Sequence, residues 1–231
     1  PFHIGEGDVL DTEKKESIKT LLLALWKKDN ETFNRSEYVA LSNALQLYYE
    51  APSRPSPEGE GEGIFRCFNT FYEFLQRDFV EVLKRDEVKE KDFDISNFLY
   101  VLRPYYKGGE FDYLLNATEN LELLKERFIV FELDNIKDHP ILFPVVTIII
   151  MEVFISKMRK LKGIRKMILI EEAWKAIARE GMAEYIKYLF KTVRKFYGEA
   201  IVVTQEVEDI ISSPVVKQAI INNSDCKILL D

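Results

Sequence analysis

Residues 167–172 read Met-Ile-Leu-Ile-Glu-Glu, four apolar residues followed directly by two acids. An uninterrupted apolar strand suits a parallel sheet that is covered on both faces. Ligands of open α/β sheets bind at the carboxyl ends of the strands, which is where Glu171 and Glu172 would lie. Two adjacent carboxylates at the end of a buried strand are costly unless a cation or a hydrogen-bond donor is close by. The stretch therefore predicts an α/β fold with a ligand site at one sheet edge.

The same pattern is typical of a Walker B strand, the acidic strand of nucleotide-hydrolysing sheets. In that interpretation Glu171 holds a water of Mg²⁺, and Glu172 polarises the water that attacks the nucleotide. The motif has low specificity by itself, because many strands end in acids by chance.

A second polar strand end supports the nucleotide interpretation. Residues 200–203 read Ala-Ile-Val-Val and are followed by Thr204 and Gln205. A polar side chain after the neighbouring strand can reach the γ-phosphate and the attacking water. The alternative is an ordinary transition from strand to loop.

Between these two strands, Lys187, Lys191 and Arg194 recur at helical spacing and form a basic face. A solvated helix surface would explain that face. The functional alternative is that Arg194 reaches a phosphate in a neighbouring subunit as an arginine finger.

The chain changes character near residue 128. Before it, apolar spacing predicts four helices. They lie at residues 15–28, from the N-cap Ser36 onward, at 64–84, and from the cap Asp94 to Leu102. Pro104 ends the fourth helix. An aromatic stripe marks the third helix and is either its core face or a base-stacking groove; its members are Phe65, Phe68, Tyr72, Leu75, Phe79 and Leu83. The Pro/Gly/Glu-rich residues 51–63 predict a mobile loop.

After residue 128, short apolar runs alternate with helical segments, which predicts right-handed βαβ units. The predicted strands are residues 128–133, 167–170, 200–204 and 226–230. The predicted helices run from Asp138 and Pro140 to about 161, from 182 to 197 with Gly198 at the C′ position, and over about 214–222.

Composition excludes several classes of protein. The 231 residues carry a net charge of -7, which argues against bulk electrostatic capture of nucleic acid or anionic lipid. With two cysteines and two histidines, the sequence predicts neither a structural zinc site nor a disulfide framework, and indicates a reducing compartment. We also predict no signal peptide and no membrane span.

An ordered set of segments resembles the carboxyl-terminal part of VirB4/TraG-type conjugation ATPases, most of all the TraG proteins of Bacteroides-type conjugative transposons. The segments that carry the resemblance are KKESIKTLLLALW (14–26), GGEFDYLLN (108–116), FIVFELDNIKD (128–138), ILIEEAWKAI (168–177), KTVRKFYG (191–198), IVVTQEVEDI (201–210) and IINNSDCKILL (220–230). The resemblance implies a RecA-like P-loop NTPase fold, with a parallel sheet and a mostly helical inserted subdomain. It also implies a hexamer on the cytoplasmic face of the inner membrane. There the ATPase would work with other type IV secretion proteins to drive pilus biogenesis and DNA transfer.

The resemblance also assigns roles to residues. Glu171 and Glu172 take the Walker B positions, Gln205 the motif after the next strand, and Arg194 the arginine position, with ATP and Mg²⁺ as cofactors. Glu171 departs from the usual Asp of the family, but it keeps a carboxylate for the metal.

A P-loop is missing from the sequence. The motif G-x-x-x-x-G-K-[ST] needs a Gly-Lys dipeptide, and the chain contains none. In the resembling family the P-loop lies upstream. We therefore expect this chain to be the downstream piece of a longer ATPase, and to have negligible activity alone. The expected units are residues 1–8 as a remnant of the ATPase core, 9–127 as the helical subdomain, and 128–231 as the later half of the RecA-like domain.

Two other functions remain open at the level of sequence. The helical part could make the chain a non-catalytic interaction module of the secretion machine. A HerA/FtsK-like DNA-pumping motor would share the same sheet chemistry and would contact DNA directly, although the acidic balance argues against it.

Overall fold

A computed structural model describes residues 2, 10, 12–27, 31, 34–51, 66–116, 123, 125–171, 189–205, 208 and 217–229. The chain divides into two compact units, Pro1–Asn120 and Leu121–Asp231. The predicted boundary between residues 127 and 128 stays a prediction. The predicted mobile loop at 51–63 lies, apart from Ala51, outside the described residues.

The first unit is helical in every described element, as its periodicity predicts. Its α-helices are α1 (Thr12–Trp26), α2 (Arg35–Glu50), α3 (Phe68–Phe74), α4 (Val80–Arg85) and α5 (Ile95–Leu102). A π-helical turn, Leu75–Phe79, joins α3 to α4, so the predicted third helix is continuous but locally widened.

Two helix starts can be compared with their predicted caps. Asp94 caps α5 as predicted, because its side chain accepts a hydrogen bond from the Asn97 backbone N–H at 2.8 Å. For α2 the prediction of Ser36 is wrong. Asn34 is the N-cap and forms a reciprocal capping box with Glu37, at 2.8 Å and 3.0 Å. The box satisfies two backbone donors at once, which a single serine hydroxyl cannot do.

The aromatic stripe is the core of the first unit. Every described member of the stripe is buried, which confirms the core interpretation over the groove; these members are Phe68, Tyr72, Leu75, Phe79 and Leu83. Phe65 lies outside the described residues. Phe2 packs edge-on against Phe68, with ring centroids 5.8 Å apart, so the start of the chain contributes to the same core.

The segment GGEFDYLLN (108–116) is held by hydrogen bonds within itself, to the preceding turn and to the start of α3. Gly108 donates its N–H to the Asp112 carboxylate at 3.0 Å, and Phe111 donates its N–H to the Pro104 carbonyl at 2.8 Å. The Asn116 side chain accepts from the Asn69 N–H at 2.8 Å, in the first turn of α3. The segment therefore acts as a staple that holds the start of α3.

The second unit contains one long helix and a small sheet. Helix α6 (Leu142–Lys160) precedes strands β1 (Lys166–Glu171) and β2 (Gly198–Val203), which pair in parallel. Helix α6 begins two residues after the predicted Pro140. The His139 imidazole accepts from the backbone N–H groups of Ile141 and Leu142 at 3.3 Å and 3.2 Å, so it satisfies donors just before the helix. The parallel pairing agrees with the predicted βαβ arrangement, although residues 172–188 of the connection lie outside the described residues.

Two of the four predicted strands are absent from the described part of the chain. Residues 128–133 and 226–229 have no ladder partner and are irregular, and Phe128, Ile228 and Leu229 are exposed. Apolar, β-branched composition marks a segment that could form a strand, but a strand exists only where a second strand supplies its hydrogen bonds.

The prediction of a sheet covered on both faces stays a prediction, because most of the chain directly after each strand lies outside the described residues. Met167 and Leu169 of β1 and Ile201 and Val203 of β2 share one face of the sheet, and all four are exposed. Side chains that alternate along a strand are buried on both sides only where a packed layer covers each face.

Candidate functional site at the sheet edge

The register of the sheet brings the predicted polar strand ends together. Glu171, the last residue of β1, pairs with Val203, the last residue of β2. Thr204 and Gln205 follow Val203 directly, so the Glu171 position and the Gln205 position lie at the same carboxyl edge. Neighbouring strands run about 5 Å apart, which puts these positions within reach of one small ligand.

The carboxylate and the amide at this edge face solvent. Glu171 and Gln205 are both exposed, whereas Thr204 is half-buried. Glu172 lies outside the described residues, so its predicted place beside Glu171 rests on the sequence alone. The edge therefore presents one described carboxylate and one described amide to an incoming ligand.

These donors suit magnesium in its usual protein environment. Mg²⁺ keeps several waters and takes one or two carboxylates together with substrate phosphates. Within the described ranges no cluster of three or more His, Cys, Asp or Glu residues could form a cage for a metal by itself. A single exposed carboxylate at this edge could supply one ligand to a magnesium ion that other groups also hold.

Arg194 lies at the other end of the sheet. It belongs to a 3₁₀ turn, Val193–Phe196, which Tyr197 alone separates from β2, so it lies near the amino end of that strand. A strand of six residues spans roughly 17 Å. The structure therefore brings Glu171 and Gln205 together and separates Arg194 from them.

Arg194 is engaged by an acid from the same unit. Its Nη1 lies 3.3 Å from Oδ1 and 3.4 Å from Oδ2 of Asp225. Both side chains are largely exposed, at 63% and 76% of their surface.

The turn that carries Arg194 is held by a lysine at the start of β1. The Lys166 ammonium donates to the carbonyl oxygens of Met158 at 3.0 Å, Leu161 at 2.5 Å and Phe196 at 2.8 Å. Met158 and Leu161 lie at the carboxyl end of α6, where the last carbonyls have no partner within the helix and where a positive charge is favourable. Lys166 thus ties together the end of α6, β1 and the turn before β2.

The end of this turn differs from the prediction. Gly198 was predicted as the left-handed residue after the helix, but Tyr197 takes that conformation, with φ 56°, and Gly198 begins β2. Gly198 is needed for space, because a Cβ there would lie 2.5 Å from Cγ2 of the buried Val193. The glycine lets the strand start directly against the turn.

Replacing Lys166 with methionine is expected to destabilise the second unit by about 2–3 kcal/mol, because three partly buried carbonyls would lose a charged donor. The nearby exposed Lys162→Met should change stability by less than about 0.5 kcal/mol. Urea unfolding followed by circular dichroism measures both. Equal midpoints for the two variants would show that Lys166 is not a structural tie.

Sequence reasoning missed Lys166 and Asp225. The bond from Lys166 to Phe196 joins residues 30 positions apart, and Arg194 and Asp225 are 31 positions apart. No local pattern signals such pairs. The SDC stretch at 224–226 lies inside a segment that resembles the VirB4/TraG family, and that position was the only available hint.

A parallel pair of strands with an acid and an amide at one carboxyl edge, preceded in the chain by a helical unit, is an α/β arrangement whose candidate ligand site lies where such sheets bind ligands. A family model described as the TraG P-loop domain matches residues 1–231. The chain therefore belongs to the TraG P-loop domain family. This confirms the predicted relationship to TraG/VirB4-type conjugation ATPases.

The fold agrees with that of a solved relative. The structure of VirB4 of Thermoanaerobacter pseudethanolicus matches with a TM-score of 0.56 and 20% sequence identity, over 89% of this chain and 52% of that chain. The predicted α/β class with a helical subdomain is thereby confirmed, and the chain spans about half the length of that VirB4 chain. None of the curated proteins compared with the chain matches it.

One further finding concerns membranes. Among the described residues, no helix combines the length and the apolar character that crossing a bilayer requires.

Proposed function

We propose that this chain is the downstream part of an ATPase that works as an oligomer and powers DNA transfer through a type IV secretion channel. Membership of a P-loop family supports nucleotide binding in general. The observation that carries the proposal is the register of the sheet, in which Glu171 pairs with Val203 and Gln205 follows two residues later. Acid and amide at one carboxyl edge are the groups that an ATPase needs around the terminal phosphate.

In this proposal each residue of the edge has a separate task. Glu171 holds magnesium through its carboxylate, Glu172 accepts a proton from the attacking water, and the Gln205 amide orients that water. Magnesium, when bound, neutralises charge that develops on the phosphates. Arg194 acts on the nucleotide of a neighbouring subunit, which agrees with its place at the opposite end of the strand from Glu171.

The phosphate-binding loop would come from residues outside this sequence, since no Gly-Lys dipeptide occurs within it. We therefore expect the 231-residue chain alone to hydrolyse ATP at a negligible rate. Robust magnesium-dependent turnover by this chain would contradict that expectation.

The oligomer is proposed to be a hexamer at the cytoplasmic face of the inner membrane, in contact with other secretion proteins and with DNA where transfer occurs. Arg194 lies at the opposite end of the strand from the Glu171 edge of its own chain. It can therefore act on a nucleotide only if a second subunit places one beside it, which requires an oligomer. Dilution of the complete protein should then lower its specific activity.

The proposal is tested on the complete protein by steady-state ATP hydrolysis. Glu172→Gln should lower kcat by at least about 100-fold, and Gln205→Ala by about 10-fold to 100-fold, because each removes a group that acts on the attacking water. Glu199→Gln is the matched control. Glu199 lies near the amino end of β2, away from the carboxyl edge. Its exposed ion pair with Arg165 contributes little to stability. Full activity in the Glu172 variant would rule out the proposed mechanism.

A further inference from the structure

The contact between Arg194 and Asp225 stands out because it joins two exposed side chains from separate segments of the second unit. Exposed ion pairs contribute about 0–1 kcal/mol to stability, so this one adds little to the fold. Its main physical effect is on position: it limits where the long, flexible arginine side chain can lie.

Both partners are anchored on packed backbone. Arg194 sits between the buried Val193 and the Phe196 carbonyl that Lys166 holds. Asp225 directly follows Ser224, whose hydroxyl and backbone N–H both donate to the Ile220 carbonyl, at 2.6 Å and 2.9 Å. An ion pair between two fixed backbones defines a direction for the guanidinium, which a pair between two mobile loops would not.

The geometry of the contact leaves the arginine able to bind a second anion. Asp225 is engaged through Nη1 alone, although a guanidinium carries further donors on Nη2 and Nε. A carboxylate on one side of the guanidinium therefore orients its remaining donors without consuming them.

We propose that Asp225 is a positioning residue, which aims Arg194 at the phosphates of a nucleotide held by a neighbouring subunit. This inference rests on the proposed function. Asp225 does not touch the nucleotide; it holds the guanidinium in the direction needed for phosphoryl transfer and thereby lowers the cost of ordering it in the transition state.

The first test is ATP hydrolysis by the complete protein. Asp225→Ala should lower kcat by about 10-fold with KM unchanged, because the arginine serves the transition state rather than the bound substrate. Asp225→Glu should restore most of the activity. Arg194→Ala should cost at least about 100-fold, and the double variant should be no worse than Arg194→Ala, since Asp225 acts only through Arg194. Asp138→Ala, an exposed acid of the same unit, serves as the control and should be fully active.

The second test needs no nucleotide. The heteronuclear NOE of the Arg194 Nε–Hε group, measured in the 231-residue chain, should be high in the wild type. It should fall in Asp225→Ala and recover in Asp225→Glu. Thermal unfolding should be unchanged in both variants, which separates positioning from folding.

The outcomes distinguish this inference from the function on which it rests. If Arg194→Ala abolishes turnover while Asp225→Ala leaves kcat unchanged or raises it, the positioning role is wrong and the ATPase proposal stands; a rise would identify the contact as an inhibitory one. An NOE that Asp225→Ala does not lower also overturns the inference. Full activity in Arg194→Ala overturns this inference and the role of Arg194 but leaves the ATPase proposal standing, whereas no turnover in the wild type overturns both.

Discussion

Replacing Gly109 with alanine is expected to destabilise the helical unit by about 3 kcal/mol or more. A Cβ at this position would lie 2.2 Å from the Pro104 carbonyl oxygen, 2.6 Å from its carbon and 2.9 Å from the Arg103 carbonyl oxygen. All three are backbone atoms, so no side-chain rotation can relieve the overlap. The backbone would have to separate, and the bond from the Phe111 N–H to the Pro104 carbonyl would be lost with it.

The neighbouring glycine supplies a matched control. Gly108 has φ +76°, but a Cβ there would meet no atom within 4 Å. Gly108→Ala should therefore cost only the strain of the left-handed conformation, about 1 kcal/mol. Urea unfolding followed by tryptophan fluorescence measures both variants in a Trp174→Phe background, where Trp26 of the same unit is the remaining reporter. Equal shifts of the two midpoints would show that steric overlap at Gly109 does not determine the stability of the segment 108–116.

Replacing Phe68 with alanine is expected to cost about 3–5 kcal/mol, because the ring is fully buried and its removal leaves a cavity. The ring contacts Phe2, Tyr72 and Tyr105, with centroids 5.8–6.4 Å apart. Tyr100→Ala is the control, since Tyr100 is 81% exposed and its loss should change stability by less than about 0.5 kcal/mol.

The same pair of variants checks the core interpretation of the aromatic stripe in solution. A core residue lowers the free energy of unfolding when it is removed, whereas a residue that stacks on bases lowers nucleic-acid affinity with stability unchanged. Thermal unfolding and titration with a labelled oligonucleotide read these two effects separately. An unchanged melting temperature in Phe68→Ala would contradict the core interpretation.

Local sequence rules worked well where their physical cause is local. The helices of the first unit follow from apolar residues that recur at helical spacing, and Asp94 caps α5 because its partner lies three residues away. The same rules failed at Ser36, because Asn34 is also a good cap and its pairing with Glu37 outweighs a lone hydroxyl.

Strand prediction was less successful because a strand depends on a partner. β1 and β2 formed where two apolar runs could pair in parallel, whereas residues 128–133 and 226–229 have similar composition and no ladder in the described chain. Composition reports the tendency of a segment to be extended; it does not report which segments meet.

By itself, the amino-acid sequence determined that an acid ends one apolar strand and an amide follows the next, that a helical unit precedes them, and that the family is that of the TraG P-loop domains. Only the tertiary structure decided that Glu171 and Gln205 share an edge, that Lys166 joins α6 to the turn before β2, and that Arg194 meets Asp225. The physical reason is the separation along the chain over which each interaction acts. Periodicity and capping act over a few residues, whereas a sheet register or an ion pair forms between segments that folding alone brings together.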